Sequence, residues 1–142
     1  MTIKETAGKI LLYFYQLQRT VPASMPYRQV VFIDKPDGTV SLTTDKKWLT
    51  TDLQDINRKP SDIYNAFQFL VNKKFLQVRE RNTSGTHIFV AIKVSEVGID
   101  LIEGVERGGE GQHAFTVTFN ISADGATDVD SFIKDNLHML MD

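Results

Sequence analysis

Between Arg58 and Ser95 the chain reads RKPSDIYNAFQFLVNKKFLQVRERNTSGTHIFVAIKVS, and the period of its apolar residues changes partway along. Ile63, Ala66, Phe67, Leu70 and Val71 recur at helical spacing, which predicts one amphipathic helix over residues 60–74. Pro60 suits its first turn, where a missing N–H would be unpaired in any case, and Ser61 or Asp62 can accept from the free amides there. Lys73 and Lys74 put positive charge at the helix C-terminus, where the macrodipole favours it. Residues 75–78 then turn to β-type side chains, Arg79 to His87 reads as a charged, turn-rich link, and Ile88 to Val94 as a second apolar strand. A helix followed by a hairpin with a basic tip is the expected outcome.

The rest of the chain is arranged around that unit. Ala7, Ile10, Leu11, Phe14 and Leu17 predict a first helix over residues 3–19, with Gly8 inside it at a cost of about 1 kcal/mol relative to Ala. Tyr13 and Tyr15 widen its apolar surface, for core packing or for a partner subunit. Tyr27 to Ile33 and Thr39 to Thr43 read as strands joined by the turn sequence Asp34-Lys35-Pro36-Asp37-Gly38. Thr44 or Asp45 can cap a second helix carrying Trp48, Leu49, Leu53 and Ile56. Ser95 can cap a further helix that runs through Glu103. Gly104, Gly108, Gly109 and Gly111, with charges between them, predict a linker. Beyond it Phe115, Val117, Phe119 and Ile121 alternate with Thr116, Thr118 and Asn120, so Ala114 to Ser122 reads as a strand with one buried face. A last helix begins at Asp128 or Asp130, with Val129, Phe132, Ile133, Leu137, Leu140 and Met141 as its stripe. One strand and one helix cannot bury their own apolar faces. The tail is therefore expected either to dimerise or to fold back on its own domain.

The segment SDIYNAFQFLVNKKFLQV resembles the recognition helix and wing entry of bacterial winged-helix domains, and VSEVGIDLIEG resembles the strand and helix that often close them. The family usually has Gly where this chain has Lys74 or Phe75, and one short strand where this chain has a hairpin. The resemblance implies an α+β chain: a winged helix-turn-helix over 1–106 with an inserted β-hairpin, a Gly-rich linker over 107–113, and a strand-helix tail over 114–142 as the dimerisation element.

Composition narrows the function. The chain has 142 residues, 42% of them hydrophobic, which suffices for an ordinary core. It has no cysteine, which removes disulfides and thiolate metal sites, and its three histidines have no ligand spacing. No metal or cofactor is expected. No apolar run approaches the roughly 20 residues that span a bilayer, and the charged N-terminus is unlike a secretory signal. A cytoplasmic protein without membrane contact is expected. No nucleophile lies at a telling distance from a base, and Asp128 with Asp130 is explained by helix capping, so an enzyme is not expected.

The net charge of −2 is unevenly spread. From Arg58 to Lys93 seven basic residues stand against two acidic ones, a net +5, whereas Val94 to Asp142 carries two basic and ten acidic residues, a net −8. Binding to double-stranded DNA needs cations for phosphates and hydrogen-bonding side chains for base edges. On the helix 60–74, Asn65, Gln68 and Asn72 share one face, and such amides can pair bidentately with adenine. Ser61 and Tyr64 suit phosphate or thymine contacts, with Arg58 and Lys59 beside them. Lys73, Lys74, Arg79, Arg81, Asn82 and His87, the last four on the wing 78–94, suit the backbone or the minor groove. A homodimeric transcriptional regulator on a two-part operator is the expected function. The negative total charge and acidic tail keep open a winged-helix module that binds protein instead.

Overall fold

A computed structural model describes residues 3–20, 30–42, 60–105 and 110–119. Within them run α1 (Ile3–Thr20), β1 (Val30–Asp34), β2 (Val40–Leu42), α2 (Pro60–Asn72), β3 (Leu76–Thr83), β4 (Thr86–Val94), α3 (Glu96–Gly104) and α4 (Glu110–Phe119). The four strands form one antiparallel sheet in the order β2-β1-β4-β3. The architecture is α+β, with the helices supplying most of the core against one face of the sheet. Among the described residues no helix is long and apolar enough to cross a membrane.

α1 is more deeply embedded than an amphipathic stripe requires. Every side chain from Leu11 to Tyr15 is buried along with Ala7 and Ile10, and even Lys9 is only 6% exposed. A helix buried on all sides is a core helix, and α2, β4, α3 and α4 all pack against it. Tyr13 and Tyr15 accordingly lie in the core, and the Tyr15 hydroxyl donates to Glu103 Oε2 at 3.0 Å, fastening α1 to α3. α2 buries one face, as its spacing predicts: Ile63, Ala66, Phe67 and Leu70. Phe67 is the hub, with ring centroids 6.2 Å from Phe14, 6.1 Å from Phe32 and 5.5 Å from Phe89. Burying each such side chain contributes about 1.5–3 kcal/mol.

Both hairpins turn for local reasons. Lys35-Pro36-Asp37-Gly38 is a β-turn closed by Gly38 N–H to Lys35 O at 3.1 Å, and Gly38 takes the left-handed φ of 87° that returns the chain to β2. The Asp37 carboxylate accepts from the Thr39 hydroxyl and amide, and those two bonds hold its pKa below the ordinary carboxylate value. The second turn is tighter than expected. Only Ser84 and Gly85 turn, at φ 41° and 80°, as a two-residue type I′ loop requires. Most of the link expected over Arg79 to His87 is therefore strand, with Arg81 opposite Ile88 and Asn82 opposite His87. Polar side chains alternate along it and leave no apolar period to read.

A bulge corrects the phase of β4. Arg79 pairs with Val90 and Gln77 with Lys93, so Val78 faces two residues, and Ala91 takes the left-handed φ of 56°. The extra residue brings Ile92 and Val94 to the side of Phe89, where all three are buried, and leaves Lys93 exposed. Without it the two-residue alternation would turn Ala91 and Lys93 inward.

The region after α3 differs from expectation. Glu110–Phe119 is a helix, not the strand expected from Ala114, and Glu110 to His113 belong to it and not to a linker. The alternation of Phe115, Val117 and Phe119 is equally compatible with a helix that buries residues four apart. Phe115 and Phe119 are fully buried against each other, centroids 4.7 Å apart, while Val117 is 61% exposed. Phe119 also meets Phe75 at 5.9 Å and Phe69 at 6.3 Å. Gly8 explains itself here: a Cβ on it would lie 3.2 Å from Phe119 Cγ. This first stretch of the tail folds back on its own core. The helices expected over Thr44 to Ile56 and from Asp128 lie outside the described residues, as do Arg58 and Lys59.

Candidate nucleic-acid interface

The end of α2 is built from backbone bonds. Phe75 N–H reaches Leu70 O at 2.9 Å and Lys74 N–H reaches Val71 O at 3.0 Å, the paired bonds of a Schellman motif. Its left-handed position is filled by Lys74, φ 64°, where glycine is usual. The helix thus stops at Asn72, two residues earlier than expected. Ser95 secures the junction: it is buried, its hydroxyl donates to Lys74 O, its amide donates to Phe75 O at 2.9 Å, and its oxygen caps α3 by accepting from Gly98 N–H at 3.1 Å. Gly98 permits this approach, since a Cβ would lie 2.6 Å from Phe75 O and 2.9 Å from Val94 Cγ1. Lys74 lines, with Lys93, Gln77 and Val97, an open cleft of about 650 Å³ between the end of α2 and the start of α3.

The flank of α2 is built from side chains instead. Strand partners share a sheet face, so Glu80 lies beside Phe89, and Asn82 beside His87 and Phe32, on the side that α2 covers. Toward the β3–β4 turn this face changes from phenyl rings to polar groups. Gln68 Nε2 donates to the Tyr64 hydroxyl at 3.2 Å and to Glu80 Oε1 at 3.0 Å. Asn82 Nδ2 donates to the same Glu80 oxygen at 3.4 Å. The His87 ring stands between Asn82 Oδ1, 2.7 Å from Nδ1, and Asp34 Oδ1, 3.0 Å from Nε2. The Tyr64 ring, half-buried, packs 5.1 Å from Phe32 and 5.2 Å from His87. One hydrogen-bonded chain thus crosses α2, β3, β4 and β1, and the turn is tied to β1 by Asp34 N–H to Gly85 O at 2.7 Å.

The residues expected to contact DNA fall into three groups. Tyr64, Gln68, Asn82 and His87 are joined in the chain just described, and Ser61 Oγ accepts from Val40 N–H at 3.3 Å. Asn65, Asn72, Lys73 and Lys74 are exposed on α2 and its end. Arg79 and Arg81 are exposed but pair with Val90 and Ile88, so they stand on the opposite face of the sheet, the face that also carries Ile33, 38% exposed. The structure therefore does not bring Gln68 onto the same open surface as Asn65 and Asn72. Its amide is satisfied internally. Sequence reasoning missed Glu80 and Asp34, the two carboxylates that organise the polar chain. Extending the strand to Thr83 would have revealed Glu80, since alternation then places it on the side of Phe89.

Compared with known proteins, the chain matches no family model, no curated sequence and no solved structure.

Proposed function

We propose that this chain is a sequence-specific double-stranded DNA-binding protein of winged-helix type, with α2 as the recognition helix and the β3–β4 hairpin as the wing. The observation that carries the reading is the exposed flank of α2. Asn65 and Asn72 lie two helical turns apart on one side, with Lys73 and Lys74 just beyond, on a helix whose other face is committed to the core. The connectivity agrees with it, since a hairpin follows α2 at once and its second strand pairs with β1, the strand that follows the first helix in the chain.

Roles follow from exposure. Asn65 and Asn72 are the amides that reach base edges, where a bidentate pair with adenine discriminates by about 1–3 kcal/mol. Lys73 and Lys74, with Arg58 and Lys59, neutralise phosphates. Gln68, Tyr64, Asn82 and His87 hold the wing against α2, and Ser61 ties α2 to β2. A homodimer on a two-part operator, acting in transcription in the cytoplasm, is the setting this reading implies.

A second reading has its own support. The outer sheet face joins Val31, Ile33, Ile88 and Val90 to Arg79 and Arg81, which suits a protein partner. Titration of the full chain against a pool of random duplexes at several salt concentrations separates the two. DNA binding should weaken as salt rises, with a logarithmic slope of about −0.9 for each phosphate neutralised. Asn65→Ala should relax sequence preference, and Lys73→Ala should weaken every duplex alike. Absence of binding at low salt would leave the protein-binding reading in its place.

A further inference from the structure

We infer that His87 is a proton-operated clasp, closed when its ring is doubly protonated, that fastens the β3–β4 hairpin to α2 and β1. What the clasp regulates, the presentation of the wing to DNA, rests on the winged-helix reading. The clasp itself rests on the hydrogens that the polar chain requires.

Glu80 Oε1 takes bonds from both Gln68 Nε2 and Asn82 Nδ2. A carboxylate oxygen only accepts, so the amino group of Asn82 must point toward Glu80. That orientation aims Asn82 Oδ1 at His87 Nδ1, 2.7 Å away. The oxygen carries no hydrogen, so Nδ1 must. At the other side of the ring, Nε2 lies 3.0 Å from Asp34 Oδ1, again an acceptor. The closed chain therefore requires hydrogens on both ring nitrogens, which is the imidazolium form.

A neutral ring fails in either tautomer. One nitrogen then turns a lone pair toward an oxygen lone pair, either of Asp34 or of Asn82. Rotating the Asn82 amide to repair the second case would set its oxygen against Glu80. Losing one proton thus opens one link of the chain whichever nitrogen loses it. The charged and titratable groups that face His87 are Asp34 from β1, Glu80 from β3 through Asn82, and Tyr64 from α2, whose ring lies 5.2 Å away and favours a cation. From β2 the same sheet face carries Leu42 and Val40 opposite Phe32 and Asp34, neither of them charged. Arg79 and Arg81 stand on the other face. The His87 side chain is 20% exposed and that of Asp34 50%, so protons reach the site from solvent.

The test uses the full chain labelled with ¹⁵N and followed from pH 5 to 8. At the acid end both imidazole nitrogens of His87 should carry hydrogens. As the ring deprotonates, hydrogen-exchange protection of the Asp34 amide, bonded to Gly85 O, should fall by about tenfold after correction for intrinsic exchange. His87→Gln and Asp34→Asn should each remove this pH response while leaving the helical circular dichroism unchanged. A ring neutral at pH 5 overturns the clasp, and so does protection indifferent to the ring's titration or a response that survives in His87→Gln. Duplex affinity measured on the same samples separates the two proposals. A responsive amide without DNA binding at any pH keeps the clasp and removes the winged-helix reading, whereas DNA binding with an unresponsive amide does the reverse.

Discussion

The C-terminal end of α2 and its polar flank are fastened by opposite means. At the end, the bonds run between backbone groups and one buried hydroxyl, Ser95, and the apolar contacts of Phe75 with Phe119 close over them. Along the flank, Tyr64, Gln68, Glu80, Asn82, His87 and Asp34 bond through side chains at positions that are exposed or only partly buried. A buried backbone group has no alternative partner, so losing its bond leaves the full desolvation cost. A half-exposed side chain can turn to water at little cost. The first arrangement fixes where α2 stops, and the second sets how the hairpin lies beside it and leaves that adjustable.

The sharpest way to break the contrast is to remove packing at the locked end. Phe119→Ala takes a fully buried ring away from Phe69, Phe75, Phe115 and Gly8. A loss of about 3–5 kcal/mol is expected in denaturant unfolding. A loss below 1 kcal/mol would mean that α4 is not part of the core. Gly98→Ala comes next, because its Cβ would meet Phe75 O and Val94 Cγ1, and the Phe75 carbonyl cannot retreat without moving the end of α2. Overpacking of this kind costs about 1–3 kcal/mol. Calorimetry should show a lowered melting temperature, and an unchanged one would show that α3 can lift from the junction freely.

The two regions were also unequally legible in the sequence. α2 announced itself through Pro60 and a clean stripe from Ile63 to Leu70, and Ser95 was readable as a cap. α4 was not, because Phe115, Val117 and Phe119 fit both a period of two and a spacing of four. What decides between them is a pocket formed by Gly8, Phe69 and Phe75, distant in the chain. Threonine, valine and phenylalanine favour strands only as far as packing agrees. The flank was hidden for a different reason. Asp34 and His87 are 53 residues apart, and only the register of β1 on β4 brings them together. Helical spacing marks the face of α2 carrying Asn65, Gln68 and Asn72 as polar, but it cannot tell which amides meet solvent and which meet a strand.

Lys74 sharpens the comparison from the locked end. Its left-handed φ of 64° costs a side-chain-bearing residue about 1–2 kcal/mol, which glycine avoids. The backbone bonds to Val71 and Leu70 do not depend on the lysine side chain. Lys74→Gly is therefore expected to raise stability by up to about 1 kcal/mol, since the greater freedom of glycine in the unfolded chain offsets part of the gain. If Lys74 neutralises phosphate, the same change should weaken binding to all duplexes equally. A more stable protein with weaker, sequence-independent loss of affinity would separate the residue's two roles.

Gln68→Ala should have the smallest effect on stability and the clearest effect on the flank. It removes the bonds to the Tyr64 hydroxyl and to Glu80 Oε1, both at partly buried positions that border solvent, where water can replace the amide. Alanine also favours the helix slightly more than glutamine. The net change should stay within about 0.5–1 kcal/mol. Its consequence belongs to the chain of bonds. Without Gln68, Glu80 is held only by Asn82 within that chain, so Asn82 loses the anchor that fixes its amide toward His87. Gln68→Ala and His87→Gln should then be non-additive, with a coupling of about 0.5 kcal/mol or more in a double-mutant cycle, although no bond joins the two residues directly. Gln68→Ala with Gly98→Ala should be additive, because the flank and the locked end share no side chain. A cycle in which both pairs add simply would mean that the flank is a set of separate surface bonds and that the hairpin does not sense α2 through them.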